Sequence, residues 1–363
     1  MHKHVHGLDL LRAVAISLVV FQHGALFFVL VYGAPPILIR ASAIGVPLFF
    51  VLSGFLIGTI LLGQGAALRD ARVTGRFWLR RALRTLPNYY LFLFGLTLLW
   101  FGYHRPGSPS PVPLLPRYLI FLQNFSSSPP EFFPESWSLS VEEWFYLVFP
   151  LALLLGLKWT QVPFRRLYVG LAVLLAVYPV VLRGLLLDPV DWAHGITKVV
   201  VYLPDAIAVG LLAASLSQAR PGGWAGARLP ALAAGVGLLL ALFIYLGFGD
   251  PDHSGVARTF LPLGVAIGCA CLLPWASTCA DLGGRLLNQG IRAIARWSYS
   301  LYLVNLTVST TVLSHMQFHY GTAVGILSYV GVCLGASAAI YHGFEAPILR
   351  WRERHAVLGQ GHA

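Results

Sequence analysis

Charge is scarce in this chain: of 363 residues, 11% are charged and 57% are hydrophobic. A soluble domain carries about 25% charged residues, because water must cover its surface. That shortage excludes an ordinary soluble fold. Cysteine is scarce as well. Cys269, Cys271, Cys279 and Cys333 lie in apolar segments without metal-site spacing, so buried structural thiols are expected and no metal site. Acidic residues number 14 against 25 Lys and Arg, leaving a net charge of +11. Such an excess also marks nucleic-acid binders. Here, however, the basic residues come in short runs between apolar blocks, which is how membrane topology is written. No nucleic-acid partner is expected. Internal repeats and paired broken helices, the sequence pointers to a transporter, are missing too. The first apolar block carries Asp9, Arg12 and His23 and lacks a small-residue cleavage site, so a cleaved signal peptide is not expected. His2, His4 and His6 alternate at the start of the chain and read as a frayed terminus.

What is present is a series of apolar blocks of roughly 20 residues, the length a helix needs to cross a hydrocarbon core of about 30 Å. They predict an all-α polytopic membrane protein with about ten spans: 8–31, 43–63, 86–102, 136–157, 167–187, 196–216, 229–248, 259–280, 297–314 and 322–345. With the N-terminus placed in the cytoplasm, most of the 25 basic residues fall in inner segments, the richest being Arg69 to Arg84. Both termini are therefore expected to be cytoplasmic. Residues 1–363 read as one membrane-embedded domain. The outward segment 103–135 is dense in proline, which excludes a continuous helix. Its rings, Tyr118, Phe121, Phe125, Phe132 and Phe133, are expected either in an interfacial aromatic belt or as a platform for a sugar ring.

An ionisable group inside a spanning helix costs at least a few kcal/mol and is a functional hypothesis by default. Arg12 and His23 are 11 residues apart, almost three whole helical turns, so both leave one face of the first helix. Asp9, three residues before Arg12, flanks that stripe. Counting rise from each end puts His23 and Glu142 at a matching depth, roughly 9 Å below the outer surface. That makes them a candidate base and its orienting acid. Ser53 and Gly54 fall near mid-membrane, as a small pair for close helix packing or as the lining of a passage for an acyl chain. Arg81 and Arg84 sit one turn apart near the inner surface. They suit either anionic lipids or a cytoplasmic phosphorylated donor.

Six motifs in order resemble the acyltransferase-3 family of integral membrane acyltransferases, over nearly the whole chain. They are Arg12-Ala13-Val14-Ala15 through His23; Phe49 to Phe55; Arg81 and Arg84, followed by Pro87 and Tyr89; Gln123-Asn124-Phe125; Trp137 to Pro150; and Ser298 to Leu303. Two departures stand out: Asn305 where members often have histidine, and Glu345-Ala346-Pro347 where Glu-Arg-Pro is usual. The chain resembles the stand-alone form without an appended hydrolase-like domain.

The resemblance implies acetyl-CoA as cytoplasmic donor, bound by Arg12, Arg81 and Arg84. It also implies a cell-envelope, exported or lipid-linked carbohydrate as acceptor, with His23 and Glu142 catalytic. Ser53, Gly54, Gln123, Asn124, Trp137, Tyr146 and Tyr302 become substrate or channel positions. The expected location is the bacterial inner membrane, among lipids and other glycan-assembly proteins. The rival expectations are a glycan or lipid flippase without covalent chemistry, since intramembrane His and Glu also form proton relays, and acylation of a small metabolite such as a macrolide.

Overall fold

The computed structural model of the protein describes residues 5–33, 44–103, 109–186, 195–249, 251, 253–280 and 283–358. His2, His4 and part of the proline-rich segment lie outside them. Every regular element among the described residues is helical. The first half contains α1 (His6–Tyr32), α2 (Gly45–Gln64), α3 (Ala71–Tyr103), the short α4 (Leu115–Leu119), α5 (Ser136–Trp159) and α6 (Phe164–Gly184). The second contains α7 (Pro204–Ala219), the short α8 (Pro221–Gly226), α9 (Arg228–Phe248), α10 (Gly255–Ala270), α11 (Leu273–Thr278) and α12 (Arg285–Val308). After α12, π-helical turns at Ser309–Leu313 and Tyr341–Glu345 flank α13 (Ser314–Tyr320) and α14 (Thr322–Ile340), and α15 (Ala346–Leu358) follows.

Among the described residues, seven helices are long and apolar enough to cross a membrane, and the chain is a multi-pass membrane protein. They fall on α1, α2, α5, α6, α9, α10 with α11, and α14 with α15. The three other expected spans correspond to α3, α7 and α12. Helix α7 has only 16 residues, and α3 and α12 open on arginine-bearing turns. The helix that carries the expected third span is longer than that span. Helix α3 starts at Ala71 and runs 33 residues through Pro87, roughly 50 Å at 1.5 Å per residue. Arg81 and Arg84 therefore share one rigid rod with the apolar stretch beyond them. Leu174 and Val177 on α6, Leu240 and Ile244 on α9, and Leu327 on α14 are exposed, as a lipid-facing surface requires.

Two cores form. One gathers α2, α5, α6, α7 and α10; the other gathers α1, α3, α12, α14 and the segment before α5. Val46 and Phe49 of α2 pack against both. At the α2–α7 crossing, a Cβ on Gly54 would overlap the Ile207 carbonyl, and one on Gly210 would overlap the Val51 carbonyl. Two small residues let the backbones touch, which is how helices associate in lipid. Gly54 thus packs as the small-pair expectation has it, and it does not line the cavity between the two cores.

Of the five rings in the segment before α5, Phe125 and Phe132 are half-buried and the other three pack inside the protein. Tyr118 and Phe133 are fully buried and Phe121 nearly so. Their rings close on Tyr89 of α3, with centroids 4.5 Å away at Phe121 and 5.6 Å at Phe133. Phe121 adopts a left-handed backbone, φ 58°, to make that turn. Of the cysteines, all free, Cys269 and Cys333 are buried while Cys271 and Cys279 are half-buried.

Candidate functional site

A cavity of about 560 Å³ opens between the two cores. Helix α1 contributes Asp9 and Arg12, α2 contributes Phe49, Phe50 and Ser53, and α3 contributes Arg81, Arg84 and Thr85. Helix α5 adds Ser138, Glu142 and Tyr146, and α12 adds Ser298, Tyr299 and Tyr302. Each set sits on helical spacing: Ser138, Glu142 and Tyr146 recur every four residues, so one face of α5 meets the space. The volume lies within the range of small-ligand pockets.

One region of the lining is strongly charged. Arg12, Arg81 and Arg84 face the carboxylates of Asp9 and Glu142 across it. None of the three guanidiniums donates a hydrogen bond to a described residue, and none of their nitrogens is a sealed, unpartnered atom. Arg81 rests its flat face near Tyr146 and Phe77, 5.7 and 6.0 Å from the ring centroids. Glu142 accepts a 2.5 Å hydrogen bond from Ser53 Oγ, tying α5 to α2. Tyr146 faces the same carboxylate, and Trp78 Nε1 holds the Tyr146 carbonyl at 3.0 Å. Such a set, with planar donors aimed at a shared space, suits a phosphorylated ligand. Val46, Phe50, Ile57 and Ile60 supply an apolar wall that suits a thin aliphatic arm.

Tyr302 has its hydroxyl fixed from both sides: it accepts from Ser138 Oγ at 2.7 Å and donates to the Glu135 carbonyl at 2.9 Å. Glu135 precedes α5 outside the apolar span. Burial raises its carboxyl to about 7, and its Oε2 has no partner among the described residues.

His23 stands apart from this lining. Its Nδ1 bonds Asn305 Oδ1, and its carbonyl accepts from Ser309 Oγ at 2.7 Å. The expected pairing of His23 with Glu142 is therefore corrected: each has a different partner on a different helix. Equal depth is one coordinate only. Rotation about the helix axis decides partners, and α1 turns His23 toward α12. Asn305 links His23 to the cavity all the same, because its Nδ2 bonds the carbonyl of Tyr302, a lining residue.

Seven expected positions thus meet in one space: Arg12, Ser53, Arg81, Arg84, Glu142, Tyr146 and Tyr302. Gln123 and Asn124 are buried tethers instead. Gln123 donates to Ser136 Oγ at 3.1 Å and Ser140 Oγ at 2.6 Å; Asn124 donates to the carbonyls of Trp137 and Lys198. These bonds pin the loop onto α5, and neither residue lines the cavity. Trp137 packs edge-on against Phe50, behind the wall.

Sequence reasoning missed Tyr299, Ser138 and Lys198. The first two follow from the periods that carry Tyr302 and Glu142. Lys198, whose charge acts on His23, carried no pattern at all. Arg352 of α15 also approaches α3, bonding the Arg80 carbonyl at 3.3 Å.

An acyltransferase domain model, that of the acyltransferase-3 family, matches residues 5–342. The peptidoglycan O-acetyltransferase OatA of Listeria monocytogenes is 30% identical over 193 residues, 50% of this chain and 29% of OatA. YrhL of Bacillus subtilis, a candidate peptidoglycan O-acetyltransferase, is 28% identical over 96% of this chain and 55% of its own length. The acyltransferase MdmB of Streptomyces mycarofaciens is 28% identical over 74% of this chain and 68% of its own. This chain thus spans little more than half of YrhL and less than a third of OatA. No solved structure matches. On the match across nearly its full length, this chain belongs to the acyltransferase-3 family.

Proposed function

We propose that the chain transfers an acetyl or other acyl group from cytoplasmic acetyl-CoA to a hydroxyl of a cell-envelope, exported or lipid-linked carbohydrate. The observation that carries this reading is the trio Arg12, Arg81 and Arg84, with unused donors facing an apolar-walled cavity. A phosphate-rich head with a long thin arm ending in a thioester matches both chemistries of that cavity. The names of OatA and YrhL point to peptidoglycan, which supports an envelope glycan as acceptor. The setting is ten spans in a bacterial inner membrane, both ends cytoplasmic. Arg81 and Arg84 then lie on the side that holds the donor.

In this reading Arg81 and Arg84 hold donor phosphates, Arg12 assists, and Glu142 keeps the guanidiniums aligned. The donor arm runs toward Tyr302 and His23. His23 takes the proton of the acceptor hydroxyl as its oxygen bonds the thioester carbonyl carbon. Collapse of the tetrahedral adduct breaks the C–S bond, and the leaving thiolate takes the proton back. The products are the ester and free CoA.

The test is the purified protein in lipid nanodiscs with radiolabelled acetyl-CoA and envelope glycan fragments. Labelled ester and stoichiometric CoA release are expected, both lost in His23→Ala. Glycan movement across proteoliposomes without CoA release would replace this reading with that of a flippase.

A further inference from the structure

We propose that Asn305 is the positioning residue of His23, holding the imidazole as its Nδ1–H tautomer so that Nε2 is the atom that takes the proton. The inference rests on His23 being the base of the proposed transfer, but its geometry stands independently. Asn305 is fully buried on α12. Its Nδ2 meets the carbonyl oxygens of Leu301 at 2.9 Å and Tyr302 at 2.7 Å. Helix carbonyls only accept, so the nitrogen end of the amide must face them. That removes the usual ambiguity between amide oxygen and nitrogen. Oδ1 is left pointing at His23 Nδ1. A carboxamide oxygen only accepts, so the ring atom opposite it must carry hydrogen. In the neutral ring the lone pair then lies on Nε2, to which no described residue donates.

The rival explanation is that Asn305 merely ties α1 to α12. Around His23, α1 is already held by the turn that follows α12 and by α14. Ser309 Oγ holds the His23 carbonyl, and Tyr329 OH of α14 holds the Val20 carbonyl at 2.8 Å. Asn305 is the described contact on the ring itself. Orientation of a base by a partner on its other nitrogen is the usual way a tautomer is set. A neutral amide does so without adding a counter-charge in the apolar interior.

The experiment is nitrogen NMR on protein labelled with 15N-histidine in nanodiscs near pH 8, the His23 signal being assigned by difference from His23→Gln. The wild type is expected to show a protonated Nδ1 and an unprotonated Nε2. Asn305→Leu should lose that preference and lower kcat about tenfold or more, with the KM for acetyl-CoA within about twofold. Asn305→Asp, which keeps an acceptor oxygen, should retain the tautomer. A wild-type Nε2–H tautomer, or Asn305→Leu with unchanged tautomer and kcat, would overturn the proposal. The wild-type spectrum decides even if a variant fails to fold. Undiminished transfer by His23→Ala would instead remove the base assignment and leave the spectrum unaffected.

Discussion

One buried arginine and one group of three use the same side chain for opposite ends. In the first, Arg183 of α6 is fully buried and ion-paired with Asp205 of α7 at 2.6 Å. Its Nε donates to the Thr259 carbonyl of α10 at 3.1 Å, and Nη1 donates to the Tyr202 carbonyl. All three of its nitrogens are engaged by protein oxygens. In the second, Arg12, Arg81 and Arg84 face a cavity and donate to no described residue. The difference lies in donor accounting, not in charge. A guanidinium whose donors all end on protein acceptors is a clamp, and one whose donors end in space awaits an acceptor. Counting basic residues along the chain cannot separate the two.

The largest effect should come from breaking the clamp. Asp205→Ala strands Arg183 in the interior, and removing one partner of a buried pair costs about 3–5 kcal/mol. Thermal unfolding in detergent should fall sharply, while surviving folded protein keeps its KM for acetyl-CoA. The double change Arg183→Met with Asp205→Leu should recover much of the loss, because apolar replacements of a buried pair are often neutral. If the single change leaves unfolding untouched, the clamp is not structural.

Arg84→Ala should do the reverse. Melting should be unchanged, because no protein contact is lost. The KM for acetyl-CoA should rise about 10- to 100-fold, the worth of one charge-assisted hydrogen bond. Arg84→Lys should fall between, since a point charge cannot fork. An Arg84→Ala enzyme that melts early but binds donor normally would erase the distinction between the two.

How far the sequence foretold this follows from the same physics. The helices were legible because lipid leaves a spanning segment few alternatives, and apolar length is a one-dimensional signal. Arg81, Arg84, Ser53 and Glu142 were legible because polar groups in apolar runs are costly. The partners were not. His23 and Glu142 were expected at equal depth, yet Asn305 takes the imidazole and Ser53 takes the carboxylate. Depth follows from counting residues; azimuth follows from how α1 packs on α12, which involves contacts 282 positions apart. Asn305 was visible only as a departure from a family pattern, and Lys198 not at all. Gln123 and Asn124 were marked by motif, but a motif does not say whether an amide faces ligand or loop. The aromatic segment failed for a related reason, because composition cannot tell a ring that meets lipid from one that closes over Tyr89.

The finest test of the comparison concerns Ser53. Its hydroxyl is the described hydrogen-bond donor to Glu142 from outside α5, and Glu142 is the carboxylate whose charge acts on both Arg12 and Arg81. Ser53→Ala deletes that one bond and leaves a small space beside a site already open to the cavity. The loss should be about 1 kcal/mol, a threefold to fivefold rise in donor KM, with little change in melting. Ser53→Thr retains the hydroxyl and should stay within about twofold of wild type. If Ser53→Ala lowered melting as Asp205→Ala does, Glu142 would have to be counted with the clamp. The arginines would then be anchored through it, and the open cluster would be structural too.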